Sequence, residues 1–267
     1  MAEGPPKSGK AGWIELVISE SSFPLRIGIS CLNLKAMFIQ GFHLTQTNAS
    51  GIPFLENAYF SFPEGSYTVL LSENVLHATA FLKMLAGEHR PVSGTLRVDH
   101  QNPYAFTACQ KRRWISEVGV VFSDFKLFSD RTVEENILFT LRAKGFWDKD
   151  SLDAAGLLFS KAGLSDKAKL RPQSLTAGER RLVMGLRAMI FRPRLLLADD
   201  PFQDVEEKAF EILFRFLWEL NKTGTTIVLT ARQTAFLEAT KKTGSDLAIR
   251  WTQLENGKVY SLEEKVS

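Results

Sequence analysis

Short runs of apolar residues alternate with longer amphipathic segments along most of the chain beyond Met37. The runs rich in β-branched residues predict five strands, at residues 67–71, 94–98, 118–122, 195–198 and 226–229. Three runs, YTVLL, RLLLAD and TTIVLT, are almost continuously apolar. Because a strand that lies between two helical layers has no solvent-facing side, such runs are typical of a parallel sheet. The pattern therefore predicts a parallel sheet covered by helices.

Helical periodicity fills the intervals between these runs. Over residues 205–220 the apolar side chains recur every three or four positions and form one stripe. Thr132 followed by Glu135 is a capping-box pattern, and Asn256-Gly257 between two short apolar runs predicts a tight hairpin turn. We therefore expect an α/β fold with a parallel core, antiparallel strands at its two ends and a helical subdomain at about residues 124–174.

The N-terminal part of the chain does not follow this pattern. Residues 1–12 are rich in glycine, proline and lysine and predict a disordered tail, whereas residues 13–36 form an extension to which no role is assigned. The main domain is expected over residues 37–260. No apolar run reaches the ~18 residues of a membrane-spanning helix, and the first residues lack the apolar stretch of a signal peptide. We expect a soluble, cytoplasmic protein without direct membrane insertion.

Composition and charge change this picture little. The 33 Lys and Arg residues nearly balance the 30 Asp and Glu residues, which leaves a net charge of +3. A nucleic-acid partner usually requires a clustered basic face, so we expect no nucleic acid to bind. The two cysteines, Cys31 and Cys109, do not have the spacing of metal ligands and predict reduced thiols.

Candidate chemistry lies in three segments: a strand, loop and helix at residues 67–87, then LTAGERRLVMGLRAMIFRPRLLLADDP at 175–201, then TTIVLTA at 225–231. The middle segment strongly resembles the signature helix and Walker B strand of ABC ATPases. Residues 117–137, with DRTVEEN, resemble the Q-loop region of the FtsE cell-division, lipoprotein-export and macrolide-export branch. The resemblance covers residues 37–258 and implies the ABC ATPase fold, whose parallel core is of the P-loop NTPase type.

In that family a glycine-rich loop with a lysine binds the phosphates of ATP, and a hydroxyl and a carboxylate bind Mg²⁺. The resemblance places the degenerate loop at Ser72, Asn74, His77, Ala78 and Thr79. Ser72 and His77 stand at the glycine positions and Ala78 at the lysine position, whereas Thr79 and Asp199 keep the groups that would bind Mg²⁺. A lost charge-assisted contact costs ~1.5–3 kcal/mol, and a bulky residue in a glycine conformation ~1–3 kcal/mol. We therefore expect weak binding of ATP and Mg²⁺.

Three further positions carry catalysis in the family, and here each differs. By the resemblance, Ser123 replaces the Q-loop glutamine, Asp200 the catalytic glutamate and Ala231 the switch histidine, while Glu206 stands at the D-loop aspartate. Asp200 is one methylene shorter than glutamate, and a retreat of ~1 Å costs about a hundredfold in rate. Ala231 has no group that could hydrogen-bond to a γ-phosphate. Together these positions imply loss of hydrolysis.

The signature segment at residues 176–179 stays close to the family form: Thr176, Ala177, Gly178 and Glu179. Thr176 and Glu179 form a capping box, and the start of a helix attracts anions. In ABC dimers this helix end faces the γ-phosphate of ATP held by the opposite subunit. Plain helix capping explains Thr176 and Glu179 equally well, so both interpretations stay open.

Three hypotheses follow from the resemblance. The first is a non-hydrolysing cassette that docks on a permease-like membrane subunit, at the cytoplasmic face of the inner membrane, with Phe125 and Phe128 at the interface. The second is one half of a heterodimer, lending its signature to an intact ATPase. The third is an active ATPase with non-consensus residues. A homodimer or a heterodimer with another cassette is expected in each case, and the transported or regulated substance is not indicated.

Overall fold

The structure is a computed structural model that describes residues 35–48, 50–122, 126–231 and 248–262. The predicted tail at residues 1–12, and all but the last two residues of the extension at 13–36, lie outside the described residues. The strands within these ranges are numbered in chain order: β1 (Ile39–Thr47), β2 (Pro53–Phe62), β3 (Tyr67–Leu71), β4 (Ser93–Val98), β5 (Val118–Val121), β6 (Leu195–Asp199), β7 (Thr226–Ala231), β8 (Ile249–Glu255) and β9 (Lys258–Leu262). The α-helices are α1 (Val75–Leu85), α2 (Ala108–Ser116), α3 (Val133–Ala143), α4 (Lys149–Lys161), α5 (Ala177–Met189) and α6 (Glu207–Lys222).

Six strands form one sheet in the order β5-β6-β7-β3-β8-β9. The first five run parallel, and β9 returns antiparallel to β8 through Asn256 and Gly257. Both turn residues have a positive φ, 48° and 73°, which confirms the predicted hairpin. Every residue of β3, β6 and β7 is buried, as their continuous apolar runs predicted.

The other three strands form an antiparallel sheet in the order β2-β1-β4. The sequence pattern predicts β4 but does not locate β1 or β2. Register shifts interrupt the pairing of β1 with both neighbours, and His43 within β1 has a positive φ of 51°. A bulged strand sets two residues against one on its partner, so its side chains depart from the alternation by which strands are recognised.

Hydrophobic clusters cover the two opposite faces of the parallel sheet. One cluster joins its first face to α3, α4, α5 and α6, and the other joins its second face to α1 and the antiparallel sheet. Helix α6 begins and ends two residues later than the predicted 205–220, and its apolar stripe packs in the first cluster. The predicted capping box of Thr132 and Glu135 begins α3. Across the described ranges, no helix has the length and apolarity to cross a membrane.

Arg194, immediately before β6, joins the two sheets. Its Nη1 donates a hydrogen bond to Glu117 Oε2 at 2.9 Å, and its Nη2 donates to Asp99 Oδ2 at 2.6 Å. Its carbonyl oxygen accepts hydrogen bonds from Met37 N and Thr226 N, at 3.3 Å and 3.0 Å. Because Asp99 follows β4 and Glu117 precedes β5, one guanidinium connects the antiparallel layer with the parallel layer.

Candidate functional site

Asp199 lies at the carboxyl end of β6, where two hydroxyl groups cover its carboxylate. Thr79 Oγ1 lies 2.7 Å from Asp199 Oδ2, and Thr230 Oγ1 donates a hydrogen bond to Asp199 Oδ1 at 2.9 Å. The side chain is almost completely buried, with 1 % exposure. These hydrogen bonds compensate for the water that the carboxylate loses on burial. The structure therefore brings Thr79 and Asp199, the two predicted Mg²⁺ ligands, into direct contact.

The segment at residues 72–79, here called the phosphate-loop segment, forms the junction between β3 and α1. Helix α1 already begins at Val75, with Asn74 as its N-cap. Asn74 Oδ1 accepts a hydrogen bond from His77 N at 3.2 Å, and its carbonyl oxygen accepts from Ala78 N at 3.1 Å. Ser72 Oγ donates to the same carbonyl oxygen at 3.1 Å. The amide groups of His77 and Ala78 are thus bonded within the chain itself.

This geometry corrects the strain expected at the two glycine positions. Neither Ser72 nor His77 has a positive φ, so neither is forced into a glycine conformation. The chain avoids the strain because the helix starts before His77, leaving residues 72–74 as the connection to β3. The expected cost in backbone strain is therefore absent. This segment differs from a glycine-rich loop in the path of its backbone, because helix α1 already begins at Val75.

The side chains of this junction fall into a buried and an exposed group. Ala78 is buried in the core, and the His77 ring stacks on Phe54 with the ring centroids 5.6 Å apart. Val75 and Leu76 face outward, with 38 % and 78 % exposure. Burial of apolar surface stabilises a fold, so a leucine that remains this exposed contributes little to the stability of its own chain.

Two of the remaining predicted catalytic positions, Asp200 and Ala231, lie at the same edge of the sheet. Asp200 follows β6 with a positive φ of 42°, and its backbone N donates to Thr230 Oγ1 at 2.9 Å. Ala231 is the buried last residue of β7 and pairs in register with Leu71. Ser123 lies outside the described residues. The carboxyl ends of β3, β6 and β7 therefore gather the phosphate-loop segment with Asp199, Asp200 and Ala231.

The signature segment at residues 176–179 begins α5. Thr176 N donates to Glu179 Oε2 at 3.0 Å, and Glu179 N donates to Thr176 Oγ1 at 3.2 Å, which confirms the predicted capping box. Partial burial opposes ionisation of Glu179, but hydrogen bonds from Lys167 and from the Thr176 backbone outweigh it and lower the pKa of this carboxyl. A Cβ at Gly178 would lie 1.9 Å from Glu206 Oε2, so a larger residue there would require the Glu206 carboxylate to move.

No hydrogen bond within the described part of the chain joins the signature segment to the phosphate-loop segment.

The sequence analysis did not predict a role for Thr230, whose hydroxyl hydrogen-bonds to both the Asp199 carboxylate and the Asp200 backbone N. A signal was present, since Thr230 is a polar residue near the end of an apolar strand. Its partner lies on a different strand, however, and only the pairing of β6 with β7 makes them neighbours.

An aromatic cluster lies on the helical side of the molecule. Phe128 and Phe139 meet edge to face with centroids 5.0 Å apart, and the Arg131 guanidinium lies within 5.0 Å of both centroids. Buried Asn136 fixes Phe128, accepting from its N at 2.7 Å and donating to its carbonyl oxygen at 3.1 Å. Both rings are more than one-third exposed. Phe125, the other ring predicted at an interface, lies outside the described residues.

Comparison with solved structures identifies the fold. A dimeric ATP-binding cassette bound to ADP and Pi superposes with a TM-score of 0.70 at 20 % identity, covering 85 % of this chain and 99 % of that one. The ATP-binding subunit of an ABC transporter superposes with a TM-score of 0.69 at 20 % identity, covering 83 % and 88 %. At such low identity the likeness shows the fold alone, and it confirms the predicted fold class.

Comparison of sequences identifies the family. The cell division ATP-binding protein FtsE of Mycobacterium tuberculosis is 27 % identical over 225 residues, covering 83 % of this chain and 97 % of its own length. The lipoprotein-releasing system ATP-binding protein LolD of Buchnera aphidicola is 29 % identical over 194 residues, covering 72 % and 82 %. The ABC transporter family model matches residues 55–203, more than half of the chain. The chain therefore belongs to the ABC transporter family, as an ATP-binding-cassette protein.

Proposed function

We propose that this chain is an FtsE-like cassette subunit that does not hydrolyse ATP and serves as a structural or regulatory subunit of an inner-membrane complex. The observation that carries the proposal is the β3–α1 junction, where Asn74 caps the helix from within the chain. A phosphate group would need the amide donors that Asn74 already uses. It would also need a cation, and Ala78 supplies none.

The charge of this edge supports the same proposal. Glu73 is exposed at the junction, Asp199 ends β6 and Asp200 follows it, with β7 between β6 and β3. A triphosphate brought to this edge would meet carboxylates without a lysine among residues 72–79 to neutralise it. Thr79 and Asp199 are the residues that would hold Mg²⁺, and here the Thr79 hydroxyl donates a hydrogen bond to the Asp199 carboxylate. These charges and this contact support the proposal that the site does not bind Mg-ATP.

Docking on a permease-like membrane subunit completes the proposed function. The exposed Phe128 and Phe139 rings and the Arg131 guanidinium between them support it, because aromatic and arginine side chains are enriched at protein interfaces. Asn136 hydrogen-bonds to both the backbone N and the carbonyl oxygen of Phe128, so contacts within the chain position this residue. The relatives FtsE and LolD are named for cell division and for lipoprotein release, and these names support a membrane complex without choosing its task.

Calorimetric titration of the purified chain with Mg-ATP tests the proposal. We expect no saturable binding up to about 1 mM ATP, which corresponds to a binding free energy weaker than about −4 kcal/mol. An intact cassette of the family, titrated in the same buffer, provides the positive control. Micromolar binding together with turnover of ATP by the isolated chain would overturn the proposal and favour an active ATPase with non-consensus residues.

The intact capping box of the signature segment favours a second candidate function. In that case the chain pairs with a catalytically intact cassette and lends it Thr176 and its neighbours. Thr176→Val would abolish the ATPase activity that this chain stimulates in its partner, whereas Thr176→Ser would retain it. Equal stimulation by both variants would remove this candidate.

A further inference from the structure

Strand β4 leaves one edge of the antiparallel sheet open. The sheet has the order β2-β1-β4, so none of the described strands pairs with β4 on the side away from β1. On that outward side Val98 N donates to the Gln101 carbonyl oxygen at 2.8 Å, and Gln101 N donates to the Val98 carbonyl oxygen at 2.9 Å. Because backbone groups alternate between the two sides of a strand, Leu96 also directs its N–H and C=O outward. Such an edge is a template for a further strand.

Apolar side chains lie beside this edge on the core side of the sheet. After Gln101 the chain turns back, and Tyr104 and Phe106 pack against the same hydrophobic cluster as the buried side chains of β4, with both rings only partly buried. Val92, directly before β4, is 65 % exposed. The outward edge of β4 together with Val92, Tyr104 and Phe106 is here called the β4 edge surface. It offers both backbone hydrogen-bonding groups and apolar contacts.

The N-terminal extension at residues 13–36 enters the described structure close to this surface. The carbonyl oxygens of Lys35 and Ala36 accept hydrogen bonds from the Arg194 guanidinium. The same guanidinium binds Asp99, which directly follows β4. The residues that precede Lys35 therefore begin from a fixed point near the end of β4.

The extension contains a segment with the polarity pattern of a strand that is buried on one face. In LRIGI, residues 25–29, the odd-numbered positions are apolar and the even-numbered positions are polar or small. Pro24 precedes this segment, and proline is tolerated at the first residue of an edge strand. In β4, buried and exposed side chains alternate in the same way over residues 96–98. The parallel sheet is also open, at β5, but three of the four residues of β5 are buried, which suits a continuous apolar run instead.

We propose that residues 25–29 of this chain pair with the outward edge of β4 and form a fourth strand of the antiparallel sheet. The new strand runs parallel to β4, because it must end near the point where Lys35 is held. Residues 30–34 span at most about 17 Å, and a strand beyond β4 lies two strand spacings, about 10 Å, from β1. The apolar face of the strand then covers the β4 edge surface, and the outward groups of Leu96 gain partners.

This inference goes beyond the proposed function and does not depend on nucleotide. It gives the extension the task of closing a sheet edge within its own chain. An open edge is exposed to pairing with the edges of other chains, and a strand that covers it prevents such association.

Amide hydrogen exchange of the full chain, followed residue by residue by NMR, tests the pairing. Ile27→Asp, which places a charge on the apolar face of the segment, should accelerate exchange of the Leu96 amide by about tenfold or more. The matched control is Arg26→Asp on the polar face, which should leave this rate unchanged. The amide of Arg97, which is paired with Gln40 of β1, is the internal reference and should exchange equally slowly in all three proteins.

Cross-linking then locates the strand. In a chain with Cys31→Ser and Cys109→Ser, a bifunctional maleimide that spans about two strand spacings, roughly 10 Å, is added to a second pair of substitutions. Arg26→Cys should react with Thr95→Cys on β4 within one chain, about tenfold faster than with Ser61→Cys at the far edge of the same sheet. Circular dichroism of each variant checks that it is folded.

Each contrary outcome overturns the inference. Exchange of the Leu96 amide that is already fast in the unsubstituted chain does so, as does equal acceleration by Ile27→Asp and Arg26→Asp. Acceleration at Val120 of β5 in place of Leu96 would assign the segment to the other sheet. Cross-links between two chains in place of one would identify the extension of a second copy as the occupant. The proposed function is tested separately, because calorimetry with Mg-ATP does not depend on these results.

Discussion

At the scale of single residues, the site is organised around the buried carboxylate of Asp199. Asp199 is a predicted Mg²⁺ ligand, and its two oxygens face the hydroxyl groups of Thr79 and Thr230. Thr230 also accepts from the Asp200 backbone, so one hydroxyl holds the ends of β6 and β7 together. A buried carboxylate that loses such a partner retains the cost of its lost hydration.

Replacement of Thr230 by valine should therefore destabilise the protein. Valine has nearly the same shape but no hydroxyl, and we expect the free energy of unfolding to fall by about 1–3 kcal/mol. Thr230→Ser, which keeps the hydroxyl and loses one methyl group, should cost only about 1 kcal/mol. Urea unfolding followed by circular dichroism measures both. An equal loss in the two variants would contradict the expectation, because the hydroxyl group would then contribute no more than one buried methyl group.

The roles of some residues could be predicted from the sequence, and those of others could not. The resemblance to ABC ATPases predicts Ala78 at the lysine position, whereas the capping roles of Thr132 and Thr176 follow from local pattern. The exposure of Leu76 could not be predicted, since apolar residues at the start of a helix are usually buried by elements distant in the sequence. The strain expected at His77 was wrong for a related reason. Where α1 begins depends on Asn74, whose capping bond competes with a glycine-type loop.

At the scale of elements, Lys144 joins the end of α3 to the core. Its Nζ donates a hydrogen bond to the Ser116 carbonyl oxygen at the end of α2 and lies 3.7 Å from the centroid of the Phe191 ring. Burial lowers the pKa of Lys144 to about 8, and the nearby Glu117 carboxylate offsets only part of this effect. A charged amine is therefore held in a poorly hydrated position between two helices.

This position predicts a dependence of stability on pH. The pKa of Lys144 in the folded chain, about 8, lies below the ordinary lysine value of 10.5 that the unfolded chain retains. Between these values the unfolded chain binds more protons, so the free energy of unfolding should rise with pH across this window. Relative to Lys144→Met, the wild-type chain should gain stability between pH 8 and pH 10.5.

Urea unfolding of the two proteins at several pH values across that window measures the gain. Lys111→Met, which removes an exposed lysine of α2, serves as the control. We expect the difference between wild type and this control to stay flat over the same range. A flat difference for Lys144→Met as well would contradict the burial of a charged amine between α3 and α2.

At the scale of the whole molecule, Arg194 connects the two sheets through hydrogen bonds. Its guanidinium bonds Asp99 and Glu117, which belong to different layers, and its side chain is 15 % exposed. Removal of one partner from a poorly hydrated ion pair leaves the other charges without compensation. Because Arg194 forms ion pairs with residues of both layers, we expect this one residue to be important for the stability of the fold.

Arg194→Met should consequently lower the free energy of unfolding by about 3 kcal/mol. The matched control is Lys35→Met, which breaks the ion pair of Lys35 with Glu64 at 2.8 Å, where the lysine side chain is 74 % exposed. Such an exposed pair contributes about 1 kcal/mol or less. Thermal unfolding of both variants provides the comparison. A similar loss in the two would mean that Arg194 does not hold the layers together.

The sequence by itself determined the fold class, the family resemblance, the buried parallel strands and the helix caps. The family resemblance rests on motifs that match those of ABC ATPases. The others depend on apolar periodicity or on groups a few residues apart, which a linear pattern records directly. Only the tertiary structure decided the bulged strands β1 and β2, the Thr230–Asp199 contact, the bonds of Arg194 and the exposure of Leu76. These depend on which strands pair and which faces meet, because residues far apart in the chain become neighbours only when the sheets are assembled.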